Sequence, residues 1–468
     1  LCLAALVACR FIRRAGRLPL PPGPRGLPLL GNALQIPTDR SWLVFAEWAR
    51  TYGPVMHLSV IGSSFIVLSS RQAISDLLDK NLIYSDRPVI PMAGELAGFD
   101  QYTALLPYGP RHREGRKLIL GTLNTRKTQD LHAVQEAKAV EFVSRLSRTP
   151  SEFQTHIQWL MASLVLQMTH GLNVDSCDGP LVKWVHEALR GFSDITVPGA
   201  YLVDGLPFLK YIPGWFPGAT FKRIAEDVRQ TTLGLQNKLY DLAREQVQQG
   251  TANPSFIVDY LTSNRDRTPE DEELYKQVST QFYAAGSDTT VSALLSFFLM
   301  MAQHPEIQRK AQIEVDAVVG NRLPKCSDRK DMPYLEAVLK EAHRWNPVLP
   351  LALPHKVRRE DVYAGYRIPA GSTVFANSWA VLHDPILYPE PDKVIPERYL
   401  GESNEDLNPD PRDFAFGYGR RVCPGQVLAE DILFIIAASV LAAFDIGDAV
   451  PHAGRTIEYH GGVIRSVH

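Results

Sequence analysis

Phe416-Gly417-Tyr418-Gly419-Arg420-Arg421-Val422-Cys423-Pro424-Gly425 sets one cysteine among three glycines, two arginines and two aromatic residues. The apolar run that begins at Val427 reads as a helix reaching Phe444. A cysteine thiolate is a ligand for haem iron. Adjacent arginine charge and the N-terminus of the following helix favour the anion. Glycines let the backbone approach a flat cofactor and turn sharply beneath it. Pro424 suits the first turn of the helix. The plain alternative is a small buried cysteine in a glycine-rich turn.

Working outward from that loop, Leu274 to Met301 reads as a long apolar helix. It holds a polar knot, Ala284-Ala285-Gly286-Ser287-Asp288-Thr289-Thr290. Glycine, acid and hydroxyl groups are poor choices for a helix interior, and such departures tend to mark functional positions. A second helix carries Leu335, Val338, Leu339 and Trp345, with Glu341 and Arg344 three residues apart on one face. Such a pair is usually a surface pair of little energetic consequence. Asp331-Met332-Pro333 caps this helix. Before it, His304-Pro305-Glu306 opens a helix that runs to Gly320. Further upstream, Gly109-Pro110 starts a helix that places His112 and Arg116 one turn apart.

The chain has 468 residues, 45% of them apolar, enough for a large core. A net charge of −2 gives no reason to expect nucleic acid as a partner. Cys2, Cys9, Cys177, Cys326 and Cys423 are odd in number and scattered, which argues against a disulfide framework or a zinc site and fits a reducing compartment. Asn253-Pro254-Ser255 is disqualified as a glycosylation site by its proline.

Leu1 to Cys9, followed by Arg10, Arg13 and Arg14, covers ~14 Å as a helix, about half a bilayer's hydrocarbon. It reads as the remnant of a membrane anchor with the arginines on the cytosolic side. A signal-peptide core and an ordinary exposed terminus are the rivals. The proline run from Leu18 to Gly31 is a stiff extended spacer. Residues 39–52 and 71–79 are helical. Val55 to Ser69 forms a hairpin turning near Gly62, and Val362 to Ala376 forms short strands. Residues 84–106 show no clear period. Residues 125–250 are mostly amphipathic helix. They are broken at 196–218 by Pro198, Pro207, Pro213 and Pro217 among Tyr201, Phe208, Tyr211, Trp215 and Phe216. That break reads as a long connection packed by its own aromatics.

The cysteine loop, the Glu341-x-x-Arg344 helix with Arg398 downstream in Pro396-Glu397-Arg398-Tyr399, and the Asp288-Thr289 helix occur in one order. As a set they resemble the cytochrome P-450 family of haem-thiolate monooxygenases over nearly the whole chain, most closely its fungal microsomal members. The resemblance implies a mainly α fold: a large helical haem-binding domain with a small β-rich region. It implies an anchor and basic flank at 1–17, a hinge at 18–31 and a catalytic domain at 32–468. The implied cofactor is haem b, with Cys423 on the iron and Ala285, Phe416 and Arg421 against the ring. Arg116, His355 and His112 would hold the propionates. His112 stands where the family carries tryptophan, and Arg113 is the alternative for the charged contact. Thr289 and Asp288 would deliver protons on the distal face. Glu341, Arg344 and Arg398 would form a buried structural triad.

The implied substrate pocket takes Phe99, Leu105, Tyr283, Ala284, Val348, Leu349, Leu351 and Val463, with Val89 and Leu96 as further candidates. Val463 belongs to an expected hairpin tip around Gly461-Gly462. The break at 196–218 would lie over the substrate entrance and dip into the membrane. The implied reaction inserts one oxygen atom from dioxygen into a hydrophobic small molecule, such as a terpenoid, polyketide, fatty acid or xenobiotic. Electrons come from NADPH through NADPH-cytochrome P-450 reductase, with cytochrome b5 as a possible second partner and Arg111, Lys117 and Arg420 as docking charges. The implied location is the endoplasmic reticulum membrane, with the catalytic domain facing the cytosol. The setting is fungal secondary or xenobiotic metabolism. An O2-independent haem-thiolate isomerase or dehydratase and a non-catalytic haem sensor are the alternatives.

Overall fold

The computed structural model describes residues 18–447, apart from 175, 177–178, 198, 264–265 and 402–406. The expected anchor at 1–17, Val463 and its hairpin tip lie outside the described residues. The architecture is mainly α, and its two compact units are taken in turn.

The first unit gathers the chain up to Pro88 with Leu351–Val381 and Tyr418–Arg421. It holds strands β1 (Val55–Val60), β2 (Ser63–Leu68), β3 (His355–Lys356), β4 (Asp361–Tyr363), β5 (Tyr366–Ile368) and β6 (Thr373–Ala376). Strands β1 and β2 make the expected hairpin. Its two turn residues, Ile61 and Gly62, both have positive φ, the geometry whose twist matches the flanking strands. Strand β6 lies parallel to β2 and antiparallel to β3, giving the order β1-β2-β6-β3, while β4 and β5 form a separate pair. Phe45, from the helix Ser41–Tyr52, packs with Met56, Leu58 and Val67, and Leu351 leans on this cluster. That packing accounts for Leu351 as a core residue.

The proline-rich run is docked rather than free. The Pro22 carbonyl accepts the His57 N–H at 3.0 Å, and the Pro19 carbonyl accepts that of Arg367 at 2.8 Å. Asn32 donates to the Pro24 carbonyl at 2.9 Å. A Cβ at Gly23 would stand 2.2 Å from the His57 carbonyl oxygen, so only glycine fits that approach. Proline lacks the N–H but keeps a carbonyl, so a stiff run can still lie along a sheet as an acceptor.

The second unit holds Val89–Pro350, Leu382–Gly417 and the chain from Val422. Its axis is the helix Pro269–Gln303, packed along Phe153–His170 and Gln426–Leu441. Thr268 and Asp271 form a capping box at its start, with Pro269 in the first turn. The helix is long and apolar enough to cross a membrane by length and composition. Within this unit, however, Leu274, Phe282, Leu294, Phe297 and Met300 are all buried in the core.

The helix Pro333–Trp345 is not capped by Asp331. Its cap residue is Met332, which makes no side-chain bond. The Glu314 carboxylate, from the preceding helix Pro305–Val319, accepts the N–H groups of Tyr334 and Leu335, both at 2.8 Å. A carboxylate there satisfies two orphan donors and meets the positive end of the helix dipole.

Glu341 and Arg344 on that helix are fully buried. Arg344 Nε and Nη2 each lie 2.8 Å from one Glu341 oxygen, a two-point fork. The remaining Arg344 donors reach the carbonyls of Leu382, Pro391 and Lys393. Glu341 also accepts from the Ile395 N–H at 2.9 Å and the Tyr399 hydroxyl at 3.0 Å. Arg398 joins as a charge: its Nε stands 3.5 Å from Glu341, while its hydrogen bonds go to the carbonyls of Pro389 and Glu390. Truncating one member of a buried pair strands the other charge, at a cost of about 3–5 kcal/mol. That is a large share of the ~5–15 kcal/mol that holds a typical domain together. Glu341→Ala should therefore give little folded haem protein, read as haem per polypeptide after purification. Parent-like loading would show that the pair is dispensable.

Candidate active site

The cysteine loop closes on its own backbone. The Cys423 N–H donates to the Phe416 carbonyl at 2.7 Å. Three residues later the helix Gln426–Leu441 begins, with Gly425 as its cap residue. Burial pushes the Cys423 thiol above its ordinary pKa, while the Gly425 N–H and the Arg116 charge pull it down. Arg116 is thus the arginine whose charge bears on the sulfur. Arg421, one of the two loop arginines expected near it, sends its Nε to the Ser85 carbonyl at 2.7 Å.

Arg116 comes from the helix Pro110–Thr122. It is half-buried, and its own pKa is lowered first by burial, against the opposing pull of Cys423 and Tyr108. His112, one turn earlier, is buried, with its ring centroid 5.4 Å from that of Tyr108. Arg113 is exposed, its guanidinium 6.0 Å from the same Tyr108 ring. Of the two alternatives for the tryptophan position, His112 is thus the interior one. Arg111 donates to Gln277 at 3.1 Å and is committed to the long helix, whereas Lys117 and Arg420 are exposed.

On the long helix the polar knot is continuous α-helix, without a local opening. Thr289 donates its hydroxyl to the Ala285 carbonyl at 2.6 Å. Burial raises the pKa of Asp288. Tyr283, Ser287 and Thr290 are buried and Ala284 is half-buried, but Ala285 is exposed in the middle of this core helix. A small exposed side chain there leaves a face that a flat apolar ring can cover. That face, with a half-buried cysteine whose anion is favoured by one N–H and one cation, fits haem b on a cysteine ligand.

The first unit holds a buried basic cluster. Arg87, Arg421 and His355 are all buried. Arg87 donates to the carbonyls of Leu353 and Pro354, both at 2.8 Å. Burial, then the charge of Arg421, pulls the Arg87 pKa down to about 9 against a smaller opposing effect from Asp86. His355 donates from Nδ1 to the Tyr84 carbonyl at 2.8 Å. Burial and then Arg87 push its pKa down to about 3. Three buried basic groups that raise one another's cost suit an anionic group, and haem b carries two carboxylates. Sequence reasoning missed Arg87. The only local signal was an arginine wedged in Asp86-Arg87-Pro88.

The pocket candidates divide. Phe99 is buried in a cluster with Met92, Tyr102 and Ile195, its ring 4.7 Å from that of Phe192. Leu96 and Leu105 pack against the same cluster. Tyr283 belongs to the main core. Val348 and Leu349 are half-buried, and Val89 is exposed. Near Phe99 lies a small cavity of about 40 Å³. Its lining is mixed and includes Ala97 and Leu233 beside Gln101, Tyr102, Gln236 and Glu273. A hydrogen-bond chain runs from Tyr102 through Gln236 and Glu273 to Gln277.

Behind the cysteine loop lies a partly buried ion network. Glu430, on the helix after Cys423, bonds His343 at 2.7 Å and Arg329 and Arg412 at 3.2 Å each. Burial acts to raise its pKa, but these three groups together hold it down at about 2.

A family model described as Cytochrome P450 matches residues 21–454. "Cytochrome P450 monooxygenase 208" of Postia placenta is 42% identical across 97% of this chain and 89% of its own length. "Cytochrome P450 monooxygenase claR" of Ampulloclitocybe clavipes is 41% identical across 94% and 82%. "Cytochrome P450 monooxygenase COX1" of Coprinopsis cinerea is 39% identical across 97% and 92%. The chain belongs to the cytochrome P450 family. It is an oxidoreductase that uses haem b to incorporate oxygen from dioxygen.

The charge beside the sulfur can be tested without haem. Arg116→Gln removes a cation that favours the thiolate, so the Cys423 pKa should rise further. In haem-free protein, the pH midpoint for alkylation of Cys423 should move upward, and the variant should retain haem less well. An unchanged midpoint would remove Arg116 from the sulfur's surroundings.

Proposed function

We propose that Cys423 is the iron ligand of a fungal-type microsomal monooxygenase acting on a hydrophobic small molecule. The observation that carries this reading is the half-buried Cys423, held in its loop by the Phe416 carbonyl at 2.7 Å, with the Gly425 N–H and Arg116 both favouring its anion. Haem b, when bound there, supplies the reductive activation of dioxygen. The chain's own residues do the rest. Arg116 and His112 hold carboxylate groups of the cofactor. The basic cluster of Arg87, His355 and Arg421 suits the same kind of group. Ala285 leaves room above the ring. Asp288, whose raised pKa makes it a readier proton carrier, passes protons to the Thr289 hydroxyl. Phe99, Leu105, Ala284, Val348 and Leu349 are the apolar residues from which substrate contacts are drawn.

Electrons come from NADPH through NADPH-cytochrome P-450 reductase, with cytochrome b5 as a second donor. The exposed Lys117 and Arg420 are the docking charges. The catalytic body faces the cytosol from the endoplasmic reticulum membrane, and its place is in secondary or xenobiotic metabolism. The connection around residues 196–218 supports the membrane reading, because three of its aromatics face outward while Tyr201 packs against the core. Phe208, Tyr211 and Trp215 are 62%, 78% and 82% exposed. Amphipathic rings at this exposure suit a lipid headgroup layer.

The reduced protein with carbon monoxide should show the red-shifted Soret band of thiolate ligation, and Cys423→Ala should lose it. A histidine-type band would withdraw every role assigned around the loop. NADPH-dependent dioxygen uptake with the reductase then separates a monooxygenase from an isomerase, a dehydratase or a sensor, none of which consumes dioxygen. For the membrane reading, protein lacking residues 1–17 should float with anionic vesicles. The triple variant Phe208→Ser, Tyr211→Ser, Trp215→Ser should float much less. Equal flotation would exclude this segment as a membrane contact.

A further inference from the structure

The helix Pro333–Trp345 carries His343 between the two members of its buried ion pair, and the side chain is itself buried. Its ring serves two contacts at once. Nε2–H donates to the Glu430 carboxylate at 2.7 Å. The ring also stands nearly perpendicular to that of Phe416, at 65°, with centroids 5.3 Å apart. Phe416 in turn accepts the Cys423 N–H through its backbone carbonyl at 2.7 Å. Glu430 lies on the helix that Cys423 leads into, so His343 braces both sides of the cysteine: the residue whose carbonyl holds its N–H, and the helix that follows it.

We propose that His343 is a positioning residue for the iron ligand: anchored by Glu430, it fixes the Phe416 ring and so sets the electron donation of the Cys423 sulfur. The inference rests on Cys423 being the iron ligand. Aromatic edge contacts of this kind contribute about 0.5–1.5 kcal/mol beyond area burial, enough to bias a ring between two settings. Hydrogen bonding and burial around a ligating sulfur tune a metal's reduction potential. A Phe416 free to move shifts the carbonyl that holds the Cys423 N–H, and a looser loop lets hydrogen-bond donors reach the sulfur and withdraw electron density from it. Losing the brace therefore raises the potential and weakens thiolate ligation.

His343 can be changed without stranding a charge, because Glu430 keeps Arg329 and Arg412. This separates it from Glu341 and Arg344, whose loss unpairs a buried ion. The test uses full-length haem-loaded protein: parent, His343→Leu, Phe416→Leu and the double variant. His343→Leu should retain haem, raise the reduction potential and convert several-fold faster from the thiolate to the thiol form of the reduced carbon monoxide complex. Both effects should shrink in the Phe416→Leu background, because the histidine acts through that ring. A parent-like potential in His343→Leu overturns the proposal, as does a full-sized effect in the double variant. If His343→Leu loads too little haem, His343→Gln enters the same cycle: its amide still reaches Glu430 but lacks the ring that braces Phe416. The parent's own carbon monoxide spectrum reports separately on whether Cys423 binds iron, so the two readings fail independently.

Discussion

One buried ion pair organises the irregular stretch that leads toward the cysteine loop. Residues 383–395 contain no helix or strand. Such a segment has few internal backbone bonds and would be mobile on its own. Arg344 takes up three of the surrounding carbonyls, and Glu341 takes the Ile395 N–H. A buried pair is poor value as a source of stability, since well-packed apolar groups commonly do as well. Its use here is specificity. Arg344 has five donors in a fixed plane, so only one arrangement of those carbonyls satisfies it. The pair thereby fixes the irregular residues 383–395 against the Glu341 helix in one arrangement.

The electrostatics of Cys423 point to a division of labour. Burial opposes the thiolate, and the protein offers only one N–H and one arginine in return. Burial thus favours the thiol of a free cysteine here over its anion. Under the proposed ligation by Cys423, iron would displace that proton, so binding and proton release would be linked. A site richer in cations would hold the anion in advance, but it would also draw density away from the sulfur.

What was legible in the sequence was local. The cysteine loop, the Glu-x-x-Arg spacing and the polar knot each lie within one element, and their residue types carry the chemistry without knowledge of partners. The hairpin at 55–69 was legible for the same reason, since its period and its glycine turn are adjacent. Several of the misses involve partners far apart in sequence. Glu314, not Asp331, caps the Glu341 helix because the two helices lie side by side. Arg87 meets carbonyls 266 and 267 residues away. The proline run docks because a carbonyl on β1 approaches Gly23, which composition cannot reveal. Residues 91–96 and 99–101 are short π- and 3₁₀-helical turns, too brief to print a period on the sequence. Of the two readings of the aromatics near 211–216, self-packing holds only between neighbours: Trp215 and Phe216 touch, with centroids 6.3 Å apart, yet both are exposed.

The long helix shows how a commonplace feature and a functional one can coincide. Thr289 bonds back to the Ala285 carbonyl, as hydroxyl residues in helices often do. Read alone, that bond says the hydroxyl is occupied. But a typical intramolecular hydrogen bond contributes only ~0.5–1.5 kcal/mol net, and a hydroxyl turns about one torsion to exchange partners. The Ala285 carbonyl lies on the helix's exposed stretch, so it need not be left unsatisfied when the hydroxyl leaves. Releasing the hydroxyl is therefore cheap and needs no opening of the backbone. Asp288, one residue earlier and burdened by burial, holds its proton more readily than an exposed aspartate. A rotating hydroxyl beside a carboxyl poised to carry protons is a relay that a continuous helix can host, so no break in the helix is required for the chemistry.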